Sequence, residues 1–490
     1  MLPLRRRGAD PVGDAIPFLH DDIYHLFCLS APSSSSVWLH WRSFDLASWE
    51  QAPPAVGPTA DDPQAPDAAA AWTGSVVAHA GRFHLFYTGS NPARDTPQTI
   101  CRATSDDLVT FTKDPANPLV CPDTDDYAAA DWRDPFVFYN DQESCYWMLI
   151  ATRRAHGPRW RSGCIALATS TDLQTWTLEP EPLYQPGDTY CPECPELFCL
   201  GQSWYLVYSR FSERAGTIYR VAADPRGPWR QPADEALDGR RWYAAKSMPV
   251  AGQDARVFFG WVHEREGATD TGPWRWGGDL ACPRVVRESS PGRLTVELPD
   301  AATAPFTRRQ PVRLGPAHRV GGTSTACIDT DRVTGLGAPG ATEYVFADVD
   351  PAVDTYLLDV TLRPGDCGEF GLLFRVDDDL AGYAVAFERR RGSVSLIRGP
   401  QPVESPWDRS FPPGTFALDV DGPRLVEMPT RFAPDRPVEC RLMVAGSVVE
   451  VYVGGQVALS YRIHARGRHE LGFYVQDGRC DVEAIRLRTA

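Results

Sequence analysis

The chain has no run of 18 apolar residues, so no segment reads as a membrane-spanning helix. It has no surplus of basic charge: 49 Lys and Arg face 64 Asp and Glu, a formal net charge of −15. A surface that tracks phosphates needs a basic face, so neither nucleic acid nor an anionic membrane is expected as a partner. A disulfide frame is also missing, because the 13 cysteines are odd in number and irregularly spaced, as free buried thiols would be. The opening "MLPLRRRGADPVGDAIPF" carries basic residues, with Arg5 to Arg7 read as a short solvated run. No apolar stretch of signal-peptide length follows them, which predicts a soluble, cytoplasmic protein. Convincing helical periodicity is scarce throughout.

Aromatic residues are plentiful, at 11% with 15 Trp and 17 Tyr, a supply that suits either large β cores or stacking on flat ligands. Pro (44) and Gly (40) are abundant but dispersed, as in a chain with many turns. At 490 residues the chain is too long for one core. An internal repeat supplies the organisation. "SFDLASW" from Ser43, "SDDLVTF" from Ser105 and "STDLQTW" from Ser170 share S-x-D-L-x-x-aromatic, starting 62 and 65 residues apart. Ser and Asp make a tight turn by bonding nearby backbone groups, and Leu and the aromatic anchor that turn on a core.

A short apolar strand repeats with it: "IYHLFCL", "RFHLFYTG", "CYWMLIAT", "WYLVYSR" and "RVFFGWV". Five such strands predict a five-bladed β-propeller over residues 1–300. After the linker-like "VELPDAATAPFTRRQP", period-2 alternation with frequent turns predicts a β-sandwich over 301–490. The expected class is therefore all-β, a propeller followed by a sandwich.

A propeller's hub is lined by the innermost strand of each blade, so hub acids should lie tens of residues apart. Asp14 in "VGDAIPF", Asp134 in "WRDPFVF" and Glu193 in "PECPELF" have that spacing. Asp21 and Asp22 are rivals to Asp14, but a charged pair before a strand reads as a hairpin turn. Cys191 and Cys194 have zinc-knuckle spacing, yet no partner pair of ligands appears elsewhere, and no metal or other cofactor is expected. Glu196 reads as a strand neighbour of Glu193. His25, His40 and His84 read as structural histidines.

"WRDPFVF" and "ECPELF" resemble the Arg-Asp-Pro and Glu-Cys-Pro motifs of glycoside hydrolase family 32, the invertase, inulinase and levanase family. "AWTGSVV" is similar to its Phe-Ser-Gly-Ser segment. "GWVHE" with "WRWGGDLACPR" resembles its late-propeller segment, and "SVVEVYVGGQVALSYRIH" a strand pair of its sandwich. The resemblance implies retaining hydrolysis of β-fructofuranosides, with Glu193 as acid/base, Asp134 as transition-state stabiliser and Asp14 at the nucleophile's place. The match fails around Asp14, where Gly13-Asp14-Ala15-Ile16-Pro17 stands for Asn-Asp-Pro-Asn-Gly.

The chemistry fits those roles: one carboxylate attacks or stabilises an oxocarbenium-like centre while a protonated carboxyl feeds the leaving oxygen. Glu193 then needs a raised pKa, from burial or from Asp14 and Asp134. Arg133 is expected to keep Asp134 charged. Trp72, Trp274 and Trp276 are candidates for a sugar-stacking rim, Thr73 and Ser75 for hydroxyl contacts, and Lys246 for a fifth-blade ligand. The expected substrate is a small fructoside such as sucrose, a fructo-oligosaccharide or a difructose. A fructosyltransferase, an inverting arabinoside or xyloside furanosidase, and a non-catalytic sugar-binding protein are the alternatives. The sandwich is expected to brace the propeller or to mediate a homodimer.

Overall fold

The computed structural model describes residues 10–350, 353–399, 422–430, 432 and 436–490. It divides into two compact units, Leu2–Glu264 with Arg275–Leu294 and Arg265–Trp274 with Thr295–Ala490.

The first unit is built of antiparallel sheets in chain order. Blade one holds β1 (Val12–His20), β2 (Ile23–Ser30), β3 (Trp38–Ser43) and β4 (Glu50–Ala52). Blade two holds β5 (Ala70–His79), β6 (Arg82–Ser90), β7 (Gln98–Ser105) and β8 (Thr112–Lys113). Blade three holds β9 (Tyr127–Asn140), β10 (Cys145–Arg154), β11 (Gly163–Ser170) and β12 (Thr177–Leu178). Blade four holds β13 (Cys191–Leu200), β14 (Ser203–Phe211) and β15 (Gly216–Ala222). Blade five starts with β16 (Trp242–Pro249) and β17 (Arg256–Arg265), and continues with β18 (Trp274–Leu280), β19 (Arg284–Ser290) and β20 (Arg293–Glu297). β18 pairs with β1, Gly278 opposite Val12, so the last blade is hydrogen-bonded to the first. The five inner strands β1, β5, β9, β13 and β16 touch in sequence, and β16 returns to β1. That ring is the hub of a five-bladed propeller.

The repeated apolar strands are β2, β6, β10, β14 and β17, the second strand of each blade and almost wholly buried. The S-x-D-L turns follow β3, β7 and β11. In each, the Asp carboxylate accepts the N–H groups two and three residues on, as Asp45 does from Ala47 and Ser48, at 2.8 and 2.7 Å. The Leu of each motif adopts a left-handed backbone (φ 63°, 58° and 61°) and is buried. Each aromatic then packs edge-to-face on the preceding blade: Trp49 on Phe259, Phe111 on Phe27 and Trp176 on Phe86, centroids 5.8, 6.1 and 5.6 Å apart. Such a contact adds about 0.5–1.5 kcal/mol beyond area burial. The repeat is thus a device for fastening one blade to the next.

Among the described residues the second unit consists of an eight-stranded and a seven-stranded antiparallel sheet, the two sheets expected of a β-sandwich. Trp274, a candidate for the sugar rim, belongs to this unit. Its ring lies 3.7 Å below the Arg265 guanidinium and edge-on to Tyr461 at 5.5 Å, so it is a packing residue.

Candidate active site

All five inner strands carry a β-bulge, near the start of the strand in four of them and mid-strand in β9. Pairing shifts between Val12 and Ala15 in β1, and between Trp72 and Gly74 in β5. It shifts opposite Leu149 and Ala151 in β9, between Glu193 and Glu196 in β13, and between Tyr243 and Lys246 in β16. A bulge leaves its extra residues outside the ladder and re-aims their side chains. Here the displaced residues include Asp14, Thr73, Asp134, Cys194 and Ala244, and the last three have positive φ of 58°, 50° and 49°. The bulged amides are satisfied by side chains of neighbouring blades. Asp134 N–H donates to Thr88 Oγ1 (2.8 Å), Cys194 N–H to Asp134 Oδ2 (2.9 Å) and Ala244 N–H to Ser209 Oγ (3.0 Å). The strain of the turn is offset locally, and five separate strands aim at one centre.

Asp14, Asp134 and Glu193 meet there. The Cys194 Sγ lies 3.9 Å from Asp14 Oδ2 and 3.7 Å from Asp134 Oδ2. Thr73 Oγ1 and Trp261 Nε1 donate to the two Asp14 oxygens, at 2.5 and 3.0 Å. Arg133 Nη2 and Tyr243 Oη donate to the two Glu193 oxygens, at 2.9 and 2.6 Å. Asp14 and Glu193 are half-buried, and Asp134 is 4% exposed. Burial, then repulsion from Asp134, raises the Asp14 carboxyl to about 7, against the pull of Thr73 and Trp261 toward the anion. Burial raises Glu193 as well. Arg133 opposes that rise and Asp134 adds to it. Two carboxyls with raised pKa values therefore flank a third, Asp14 titrating at about 7 and Glu193 above its ordinary range.

Several expected roles change. Arg133 gives its hydrogen bonds to Glu193 and Asp131 (2.9 and 2.8 Å), and its charge also acts on the neighbouring Asp134. Ser75 does not offer its hydroxyl to a ligand: it donates to Pro135 O and accepts from Val137 N–H, both 2.9 Å, stitching blade two to blade three. Trp72 is half-buried: it donates its indole N–H to Ser33 O (2.6 Å) and packs against the core between blades one and two. Lys246 is buried, bonds the Gly74 carbonyl across the hub and sits 5.5 Å from the centre of the Phe136 ring, so its ammonium braces the hub and does not project as a ligand. Its pKa is lowered by burial. Thr73 does join the cluster, as a donor to Asp14. Trp276 lies beside it, 36% exposed, with its ring against Gly13.

Glu196 is fully buried and bonded to Ser247 N–H (2.6 Å) and Arg256 (2.9 Å), a structural pair. Asp21 and Asp22 form the left-handed turn between β1 and β2 and are exposed. His25 and His40 bond each other at 3.0 Å in the core of blade one. Cys191 faces Thr152 O at 3.8 Å while Cys194 faces the carboxylates, so the zinc-like spacing does not bring the two sulfurs to one ligand.

Sequence reasoning missed Tyr243 and Trp261. Arg133, Glu193 and Tyr243 are the last paired residues before the bulges of β9, β13 and β16. Aligning the inner strands, in addition to the second strands, would have singled out Tyr243. Trp261 lay inside the quoted "GWVHE" but was read only as a family marker.

A propeller hub that gathers paired carboxyls carries the groups a glycoside hydrolase uses. The chain belongs to glycosyl hydrolase family 32: the family's N-terminal domain matches residues 9–297 and its C-terminal domain residues 331–489. It is 25% identical to an insoluble beta-fructofuranosidase isoenzyme of Arabidopsis thaliana, over 93% of this chain and 83% of that one. A sucrose-6-phosphate hydrolase from Lactobacillus gasseri has a similar structure, with TM-score 0.70 and 20% identity over 98% of this chain and 91% of that one. Fructan 1-exohydrolase IIa from Cichorium intybus matches with TM-score 0.70 and 17% identity, over 98% and 96%.

Proposed function

We propose that the chain is a retaining β-fructofuranosidase that releases terminal fructose from small fructosides through a covalent fructosyl-enzyme. The observation that carries this reading is the convergence of Asp14 and Glu193 on one hub, each with both carboxylate oxygens held by donors. Asp14, as the anion, attacks the anomeric carbon, while Glu193, protonated, gives its proton to the departing oxygen. Water then takes the place of the leaving group, Glu193 now removes a proton from it, and the bond to Asp14 breaks. Asp134, whose Oδ2 accepts the Cys194 amide, is held as the third carboxylate beside the ring. The curated relative's name, a beta-fructofuranosidase, supports fructose as the transferred unit.

Incubation with sucrose, kestose and levanbiose tests the proposal, with liberated fructose as the readout; no fructose from any of them defeats it. Proton NMR of the first-formed anomer tests retention, since an inverting furanosidase gives the opposite initial signal. Transfer of the fructosyl unit to an added sugar acceptor, scored as new trisaccharide, separates a transferase from a hydrolase.

A further inference from the structure

Two buried cysteines of the second unit lie together, although they are 113 positions apart. Cys367 and Cys480 are each only 2% exposed. The strands Thr355–Pro364 and Cys480–Thr489 belong to the eight-stranded sheet, and Glu369–Phe374 and Leu471–Gln476 to the seven-stranded one. Residues 365–368 and 477–479 therefore both cross from one sheet to the other, in opposite directions. They cross side by side. Pro364 is paired with Cys480, Gly365 N–H donates to Arg479 O (3.0 Å) and Gly368 N–H donates to Asp477 O (2.8 Å). Arg479 N–H in turn donates to the Asp366 carboxylate (2.8 Å). Gly478 has a φ of 121°, and a β-carbon there would fall 2.4 Å from the Cys367 Cα, so only glycine lets the crossings close this far. The sulfurs meet at this closure, where the Cys480 thiol donates a hydrogen bond to Cys367. That bond holds the Cys367 thiol below its ordinary value against burial, with help from the charge of Arg389, while the Cys480 thiol is pushed up. Arg389 is fixed over the loop by bonds to the Gly365 and Cys367 carbonyls, at 2.6 and 3.2 Å.

We infer that Cys367 and Cys480 are an oxidative modification site, a dithiol that a small disulfide of the glutathione class converts into a staple between the two crossings. The Cys367 thiolate attacks one sulfur of the small disulfide and expels the other half as a thiolate. Cys480 then gives up its proton and attacks the Cys367 sulfur of that mixed disulfide, expelling the second half. The pair loses two electrons, and its two protons end on the two released small thiols. A cross-link that closes so long a stretch of chain removes much of the freedom of the unfolded state. It also ties together two of the connections that join the sheets. In oxidising surroundings the staple persists, and in a compartment kept reduced by glutathione the pair stays a dithiol.

The test incubates the folded chain with oxidised glutathione, blocks the remaining thiols by alkylation and maps the tryptic peptides by mass spectrometry. A peptide joining Cys367 to Cys480 is expected in most chains. Calorimetry should place the melting transition of the sandwich about 5–10 °C above that of the dithiothreitol-reduced chain. Dithiothreitol should reverse both changes, and Cys367→Ser and Cys480→Ser should each lose both. Absence of the joined peptide overturns the proposal, whether the two cysteines stay free or carry glutathione as separate mixed disulfides. A joined peptide with an unchanged or lowered transition overturns it too, because the bond then strains the fold and is no staple. If a serine variant does not fold, the oxidised and reduced forms of the unsubstituted chain still decide the matter. None of these readouts involves hydrolysis, so a chain that cleaves no fructoside defeats the fructosidase reading and leaves this inference standing.

Discussion

Two sets of three acidic side chains in the propeller make a natural comparison. Asp45, Asp107 and Asp172 occupy the S-x-D-L turns, at exposed, repeated positions. Asp14 and Asp134 sit in inner-strand bulges and Glu193 just before one, at buried or half-buried, unrepeated positions. The turn carboxylates accept backbone N–H groups, which hold all three below the usual carboxylate range for all their differing surroundings. At the hub, burial and like charge raise Asp14 and Glu193. The same functional group thus keeps its charge where it is solvated and is pushed toward its protonated form where it is not.

The comparison predicts opposite pH dependences of stability. A group with a raised folded pKa contributes stability fully below its unfolded value and loses it as pH rises through the folded one. For Asp14 that window runs from 3.8 to about 7. The turn aspartates contribute above 3.8 and lose their contribution as pH falls through their lowered values.

The largest effect that would break the contrast is catalytic. Asp14→Asn is expected to lower kcat by about 10⁴-fold or more and Glu193→Gln by about 10²–10⁴-fold, with circular dichroism unchanged. The matching Asp45→Asn should leave kcat within about twofold, as steady-state assays would show. Next in size is the pH profile. On the proposed mechanism Asp14 must be ionised and Glu193 protonated, so kcat/KM should vary with pH through two limbs that belong to the coupled cluster, the one set by Asp14 lying near 7. A flat profile from pH 5 to 8 would contradict it.

Tyr243→Phe removes a donor that favours ionised Glu193, so the limb set by Glu193 should move up in pH, with a modest loss of kcat. The smallest effects are on stability. Asp14→Asn should raise Tm at pH 8 and give no gain at pH 4. Ser43→Ala should lower Tm by about 1–2 °C, because the Leu46 N–H loses its hydroxyl acceptor, 2.9 Å away. Differential scanning calorimetry at both pH values reads both.

Much of the fold was legible because its repeats are local. The S-x-D-L turn closes within five residues, and the second strands announce themselves by aromatic and branched residues that pack between blades. The three hub acids were legible through spacing and motif. Their partners were not: Arg133 could be placed next to Asp134 by sequence, but the bulge turns it to Glu193, 60 residues away. Ser75 and Lys246 carried polar groups of the right kind, and only the neighbouring blades show that Pro135 and Gly74 already use them.

The sequence by itself determined which residues form strands and turns, since side-chain volume, branching and short-range hydrogen bonding act over a few positions. Tertiary structure alone decided how the hub carboxyls titrate and what holds them. Burial, like-charge repulsion and donor geometry depend on atoms contributed by other blades, and the ring closure between β16 and β1 brings those atoms together.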